Sequence, residues 1–392
     1  MGFDFDRVYD RHDTNSLKWD FYEERHHSAD ELPMWVADMD FKSPRPVLDA
    51  LHETAERGFF GYTVEKYADK KIVSDWLGRR HGFAPDPDGI VFIPGVCFGL
   101  TAAVLAYSEP GEAVMISEPV YYPFSSIVRD VDRKLVQNVL AADHNGVYHI
   151  DFDAFERQIV DEQVKIYILC SPQNPVGRVW TYDELKTLGE ICLRRNVLVL
   201  ADEIHADFVY PGHTHTPFAS ISPEFEAGSL TFTSPSKTFN TAGLQIAEAI
   251  IKDPGLRKRY RQTVNRIGYA EVPVMGLNAV RAAYTLCDEW VDELVKYIYE
   301  NLLYMDSFIR EEIPELRMNI PEGTYLPWVD FSGLGLNRMD LENFVRNKAR
   351  LWLDAGYIFG DSGDGYERFN VACPRDILKD ALGRLAGAIH GR

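Results

Sequence analysis

Cysteine is scarce in this chain: Cys97, Cys170, Cys192, Cys287 and Cys373 are the only five in 392 residues, an odd number, widely spaced and with no C-x-x-C pair. That pattern excludes a disulfide frame and a zinc knuckle, and it leads us to expect reduced thiols in a cytoplasmic protein. The histidines offer no metal site either. There is no H-E-x-x-H pattern, and His26, His27, His213 and His215 fall in polar, turn-like stretches that read as loop histidines. Long hydrophobic runs are missing too. The longest, such as VLVLA at 197–201, are strand-sized, far short of a bilayer span, so no membrane association is expected. The opening MGFDFDRVYDRHD is charged, has no apolar core and carries no serine or threonine at position 6, so neither a signal peptide nor a myristoyl anchor is expected. Positive charge is in deficit, 41 Lys and Arg against 60 Asp and Glu for a net charge of −19. Such a surface repels phosphate backbones and anionic lipid, which argues against nucleic-acid work. Small anions still respond to local fields.

What is present is ample core material. A hydrophobic fraction of 46% with 12% aromatics excludes a disordered chain, and the length suits two or three domain-sized units, or one large core with a smaller one. From about residue 89, short β-rich runs alternate with amphipathic stretches, the pattern of an α/β unit with a mostly parallel sheet. The runs are 89–93, 113–117, 164–170, 197–201, 229–233 and 247–251. A helix over 181–195 opens on an N-cap threonine with Glu184 three residues later. A long connecting helix is expected over 289–313, another helix over 339–356, and strand-like segments at 324–331 and 367–372. We expect a large domain over 46–288, and a smaller α+β domain from 1–45 with 289–392.

In a doubly wound sheet, ligands bind beyond the carboxyl ends of the strands. After the first run, PGVCFG leads straight into a helix, offering the free N–H groups of Val96 and Cys97 to an anion. After the second come Tyr121 and Tyr122, which could stack on a flat ring or merely pack. The third is followed by SPQNPVGRVW, with Asn174 in a proline-flanked turn. The fourth runs into DEIHADFVY, where Asp202 follows a buried apolar strand and needs a cation or donors. The fifth runs into SPSKTFNTAG, with Lys237 among small hydroxyls. Singly, each has a bland structural explanation. Together they make the set that pyridoxal 5′-phosphate requires: a lysine for its aldehyde, a carboxylate for its ring nitrogen, a donor for its phenolic oxygen, and amides with Ser234 and Ser236 for its phosphate.

These motifs, with TNSLKWD (14–20), PMWVADMDF (33–41), FGYT (60–63), PVYYPF (119–124), EGTYLPWVDF (322–331) and ERFNVACPR (367–375), carry a family resemblance almost end to end. The chain resembles the fold-type I, class I/II aminotransferase superfamily of pyridoxal-phosphate enzymes. Within it, the likeness is to the branch of cystathionine β-lyases and cysteine-S-conjugate β-lyases, which also holds a maltose-regulon modulator. The resemblance implies that Lys237 bonds the cofactor and later takes the substrate Cα proton. It implies that Asp202 pairs with the pyridine nitrogen, Asn174 bonds the phenolic oxygen and Tyr121 stacks on the ring. Val96, Cys97, Ser234 and Ser236 would hold the phosphate, with Tyr62 reaching in from a second subunit of a homodimer. Arg368 would grip the α-carboxylate of an amino-acid substrate, helped by backbone near Ala37. Two departures from the aminotransferase side stand out. His205 replaces a tyrosine near the phenolic oxygen, and Gln245 replaces a phosphate-binding arginine. No second arginine is evident for a distal carboxylate.

The resemblance thus implies a pyridoxal-phosphate-dependent carbon–sulfur β-lyase that cleaves cystathionine or other L-cysteine S-conjugates. A class I/II aminotransferase shares every site motif, and a regulator-binding protein on the same fold is the non-enzymatic alternative. The intact Lys237 argues for chemistry.

Overall fold

The computed structural model describes residues 3–392. Seven strands form one sheet: β1 (Ile90–Ile93), β2 (Ala113–Glu118), β3 (Lys134–Val139), β4 (Val164–Cys170), β5 (Leu198–Asp202), β6 (Ser229–Thr233) and β7 (Ala247–Ile250), in the spatial order β1-β7-β6-β5-β4-β2-β3. Only β7 runs against its neighbours. Strands β2, β4, β5 and β6 are almost wholly buried, as expected of parallel strands covered on both faces, and their sequences are accordingly mostly apolar. Strand β3 was not evident in the sequence. It lies at the sheet edge with alternating exposure, so its polar residues hide the apolar signal.

The helices include α1 (Tyr67–His81), α2 (Val96–Tyr107), α3 (Tyr182–Arg194), α4 (Pro235–Thr238), α5 (Asp288–Glu312) and α6 (Arg375–His390). The Thr181–Glu184 capping box that starts α3 is formed as the sequence indicates. Helix α2 is apolar nearly all round and packs onto the sheet through Gly99, where a Cβ would run into Ile93 and Phe232. That close seat sets its N-terminus at the strand ends.

After the long helix α5, a second sheet of four antiparallel strands follows: β8 (Arg317–Met318), β9 (Trp328–Asp330), β10 (Asp354–Ala355) and β11 (Tyr366–Arg368), ordered β8-β9-β11-β10. Here the expected helix over 339–356 is corrected. Helical turns stop at Lys348, Arg350 takes a left-handed φ of 53°, and Leu351–Trp352 pairs in parallel with Leu32–Pro33. No helix among the described residues is long and apolar enough to cross a membrane.

Candidate active site

The carboxyl ends of the central strands open on one cleft of about 440 Å³. Ala37, Val96, Cys97, Tyr121, Asn174, Asp202, His205, Ser234, Ser236, Lys237 and Gln245, all singled out in the sequence, line it together. They arrive from different strand ends, which is why nothing but the fold could bring them to one place.

Lys237 stands on the single turn α4. Ser234 leaves β6 in an extended conformation and caps that turn, accepting the Ser236 N–H at 3.1 Å and donating to the Ile246 carbonyl at 2.8 Å. Its hydroxyl is therefore already engaged in the fold, and Ser236 is the better placed of the two serines to meet a ligand. The Lys237 ammonium donates to the Ala37 carbonyl at 2.9 Å. Burial, and then the charge of Arg368, push its pKa down.

Two clamps fix this turn. On one side Asn240, at a left-handed φ of 56°, accepts from the Met39 N–H and donates to the carbonyls of Met39 and Phe41. On the other, the Thr238 hydroxyl donates to Asp207 at 2.6 Å, while His81 at the end of α1 lies 3.0 Å from the other Asp207 oxygen. Burial pushes Asp207 up, but its bonds to His81 and Thr238 and the charges of His81 and Arg80 outweigh burial and hold it below the usual carboxylate range.

Asp202, at the end of β5, is buried and forms no ion pair among the described residues. Its Oδ1 accepts the Ile204 N–H at 3.1 Å. Burial drives its pKa up to about 7, with that bond and Lys237 resisting. His205 is also buried, its Nδ1 without a partner, and burial plus the charges of Lys237 and Arg368 push its pKa far down, so the ring is neutral. Cys97 is exposed to solvent at the cleft, and the protein packed around its thiol, followed by the charge of Asp202, pushes its pKa up to about 11. Helix α2 begins at Gly95 with no side-chain cap, leaving its first amides for a ligand.

Arg368 is held by sheet register. It lies opposite Asp354 in the antiparallel β10–β11 pair, and the two form a buried ion pair. The guanidinium also donates to the Trp35 carbonyl and to Asn174 Oδ1, each at 2.9 Å. That second bond leaves the NH2 end of the Asn174 amide to donate elsewhere. Nε of Arg368 is buried with no partner. Tyr62 is 95% exposed and lies outside this cleft. Gln245 turns its amide back onto the Ala242 carbonyl at 3.0 Å.

Sequence reasoning missed Asp207, Thr238, Asn240 and Asp354. The first three sit inside the DEIHADFVY and SPSKTFNTAG motifs, one to five residues from Asp202 or Lys237, and could have been found there. Asp354 lay hidden inside the segment read as helix. His215 lies in an irregular segment, as its reading as a loop histidine expects, but it is buried there, 3.3 Å from Glu203.

A lysine and a carboxylate at the strand ends of an α/β sheet, with an arginine of the second sheet bonded into the same wall, define a class of enzymes that work on amino acids. The chain belongs to the aminotransferase class I and II family, whose profile matches residues 36–385. It is 40% identical to the cystathionine beta-lyase PatB of Bacillus subtilis, over 98% of this chain and 99% of that protein. It is 33% identical to the protein MalY of Escherichia coli, over 99% of each. Among solved structures, cystalysin from Treponema denticola, which contains a pyridoxal 5′-phosphate cofactor, superposes with a TM-score of 0.96 at 36% identity over all of both chains. A PLP-bound C-S lyase from Staphylococcus hominis gives 0.92 at 31% identity, again over all of both chains.

Proposed function

We propose that this chain is a pyridoxal-phosphate-dependent carbon–sulfur β-lyase, cleaving cystathionine or related L-cysteine S-conjugates to a thiol, pyruvate and ammonia. One observation carries it: Lys237 and buried Asp202 line one cleft, with buried Arg368 bonded to Asn174 in its wall, in a chain 40% identical end to end to a cystathionine β-lyase.

The donor set fits the cofactor. Lys237 would hold its aldehyde and Asp202 its ring nitrogen, the cation that this buried carboxylate lacks within the chain. The Asn174 NH2 would face the phenolic oxygen, Tyr121 the ring, and the amides of Val96 and Cys97 with Ser236 the phosphate. The unpartnered buried nitrogens of His205 and Arg368 are what a site completed by ligands leaves behind.

When bound, pyridoxal phosphate supplies an electron sink for negative charge developing at the substrate Cα. The rest falls to the chain. Arg368 grips the substrate α-carboxylate, with backbone at Ala37 beside it. Lys237, its basicity moderated by burial, takes the Cα proton. Charge then expels the thiolate from Cβ, and the released enamine hydrolyses to pyruvate and ammonia. His205, kept neutral, contributes no charge.

The assembly fits the same reading. Tyr62, 95% exposed, with the exposed apolar Phe59 and Phe60 beside it, supports a homodimer in which this segment enters the partner's cleft. The five unpaired cysteines support a cytoplasmic location. The pairing of Leu32–Pro33 with Leu351–Trp352 supports a division into a cofactor-binding domain, 46–288, and a substrate-gripping domain from 1–45 with 289–392.

The deciding experiment supplies cystathionine and no keto acid. A β-lyase regenerates its cofactor every turnover and yields pyruvate, ammonia and homocysteine in equal amounts, for many turnovers. An enzyme silent until 2-oxoglutarate is added, and then forming a new amino acid, is an aminotransferase.

A further inference from the structure

Next to the catalytic cleft lies a second cavity of about 360 Å³, lined by Arg25, Trp35, Tyr122 and Asp354 among others. The two share a wall. Tyr122 lines the second, with its ring 5.3 Å from that of Tyr121 in the first, and Arg368 reaches from Asn174 in the first to Asp354 in the second. The second cavity is also lined by an aromatic stack: His27 on Trp352 at 4.0 Å, and Trp352 on Trp35 at 4.6 Å. The guanidinium of Arg25 lies against the Trp35 ring at 4.9 Å.

Arg25 forms no ion pair and no side-chain hydrogen bond among the described residues. The acids of the cavity are otherwise occupied. Asp354 is paired with Arg368, Glu342 lies 3.7 Å from Arg346, and Glu367 has its pKa pushed well above the usual carboxylate range by burial first and then by the charges of Asp354 and Glu342. An indole N–H, that of Trp35, is buried there without an acceptor. Arg25, exposed at the rim of the cavity, is therefore a cation with no partner among the described residues, resting on the Trp35 ring.

We propose that Arg25 receives a distal carboxylate on the leaving thiol, so that the preferred substrates are S-conjugates carrying an acid at both ends. This inference rests on the lyase reading and corrects the expectation that no second arginine is available. Its geometry is simple. Arg368 bonds the carbonyl of Trp35 and Arg25 covers its ring, so the two guanidinium groups stand no further apart than one tryptophan and two contacts. The two carboxylates of cystathionine, joined through a chain of six atoms, bridge that interval with the sulfur between them. A neutral S-alkyl cysteine engages Arg368 alone.

The test uses the holoenzyme with S-(2-carboxyethyl)-L-cysteine and S-ethyl-L-cysteine as probes. Affinity is read from the cofactor absorbance change on binding, and KM and kcat from thiol release. In the wild type the carboxylated probe binds more tightly. In Arg25→Ala that preference falls about tenfold, carried by KM, the effect of losing one charge-assisted contact, and Arg25→Lys retains part of it. A preference unchanged within about twofold, or both probes weakening together, overturns the assignment. Since binding is read without turnover, preferential binding with no thiol release removes the lyase reading and leaves Arg25 standing. Thiol release without preference does the reverse.

Discussion

Asp202 is a carboxyl that folding makes harder to ionise: burial moves it from an ordinary acid to one with a pKa of about 7. A raised carboxylate pKa means that the folded chain binds the proton more tightly than the unfolded one. Below about pH 4 both states are protonated and Asp202 is neutral in its effect. As pH climbs from about 4 to 7 the unfolded state releases its proton first, and the cofactor-free chain loses stability throughout that window, by roughly 4 kcal/mol in all. Above 7 the loss is complete. Asp202→Asn removes this penalty, so urea unfolding of the cofactor-free proteins should show the variant more stable by several kcal/mol at pH 8 and equal at pH 4. In the proposed site, bound cofactor would bring the cation that the carboxylate lacks and close the gap for the wild type only. Parallel stability curves for the two cofactor-free proteins across the window would show that Asp202 carries no such strain.

At the scale of elements, the lysine turn α4 is too short to hold itself, so its aim depends on the Thr238–Asp207 and Asn240 clamps. Thr238→Val keeps the shape and deletes the donor, leaving a buried Asp207 oxygen short of one bond, a cost of about 1–3 kcal/mol. We expect weaker cofactor retention on dialysis and a kcat lowered about tenfold, with Thr238→Ser restoring both. If the valine variant matched the wild type in both measurements, the clamp would have no part in aiming Lys237. Elements also decide how much the sequence could tell. Mostly apolar runs such as 164–170, interrupted only by Lys165, were legible because a strand covered on both faces has little need of polar residues. Strand β3 was not, since an edge strand alternates, and the helical pattern over 339–356 misled because pairing with residues some 300 positions away overrides local periodicity. The site was legible where chemistry and punctuation coincide, as at Lys237, Asp202 and Asn174. It was illegible where a residue acts through register, as Asp354 does on Arg368.

For the whole molecule the question is whether one chain suffices. Tyr62 stands almost fully in solvent, in an irregular segment between Gly58 and α1 that also exposes Phe59, Phe60 and Val64. Such a run of large apolar side chains is costly to leave in water and marks a contact surface. A two-fold dimer is the commonest way to cover it, and in the dimer proposed above each segment would serve the other chain's cleft. Complementation then follows from counting. Lys237→Ala spoils its own chain's cleft, whereas Tyr62→Ala spoils the partner's. In a mixed dimer the chain that keeps Lys237 receives Tyr62 from the other, so one cleft is whole and one carries both defects. If the two proteins are unfolded together and re-paired at random, half the dimers are mixed, and about a quarter of wild-type activity should appear from two nearly inactive parents. Activity no greater than the sum of the parents, in a sample where sedimentation shows mixed dimers, would mean that Tyr62 serves its own chain or none.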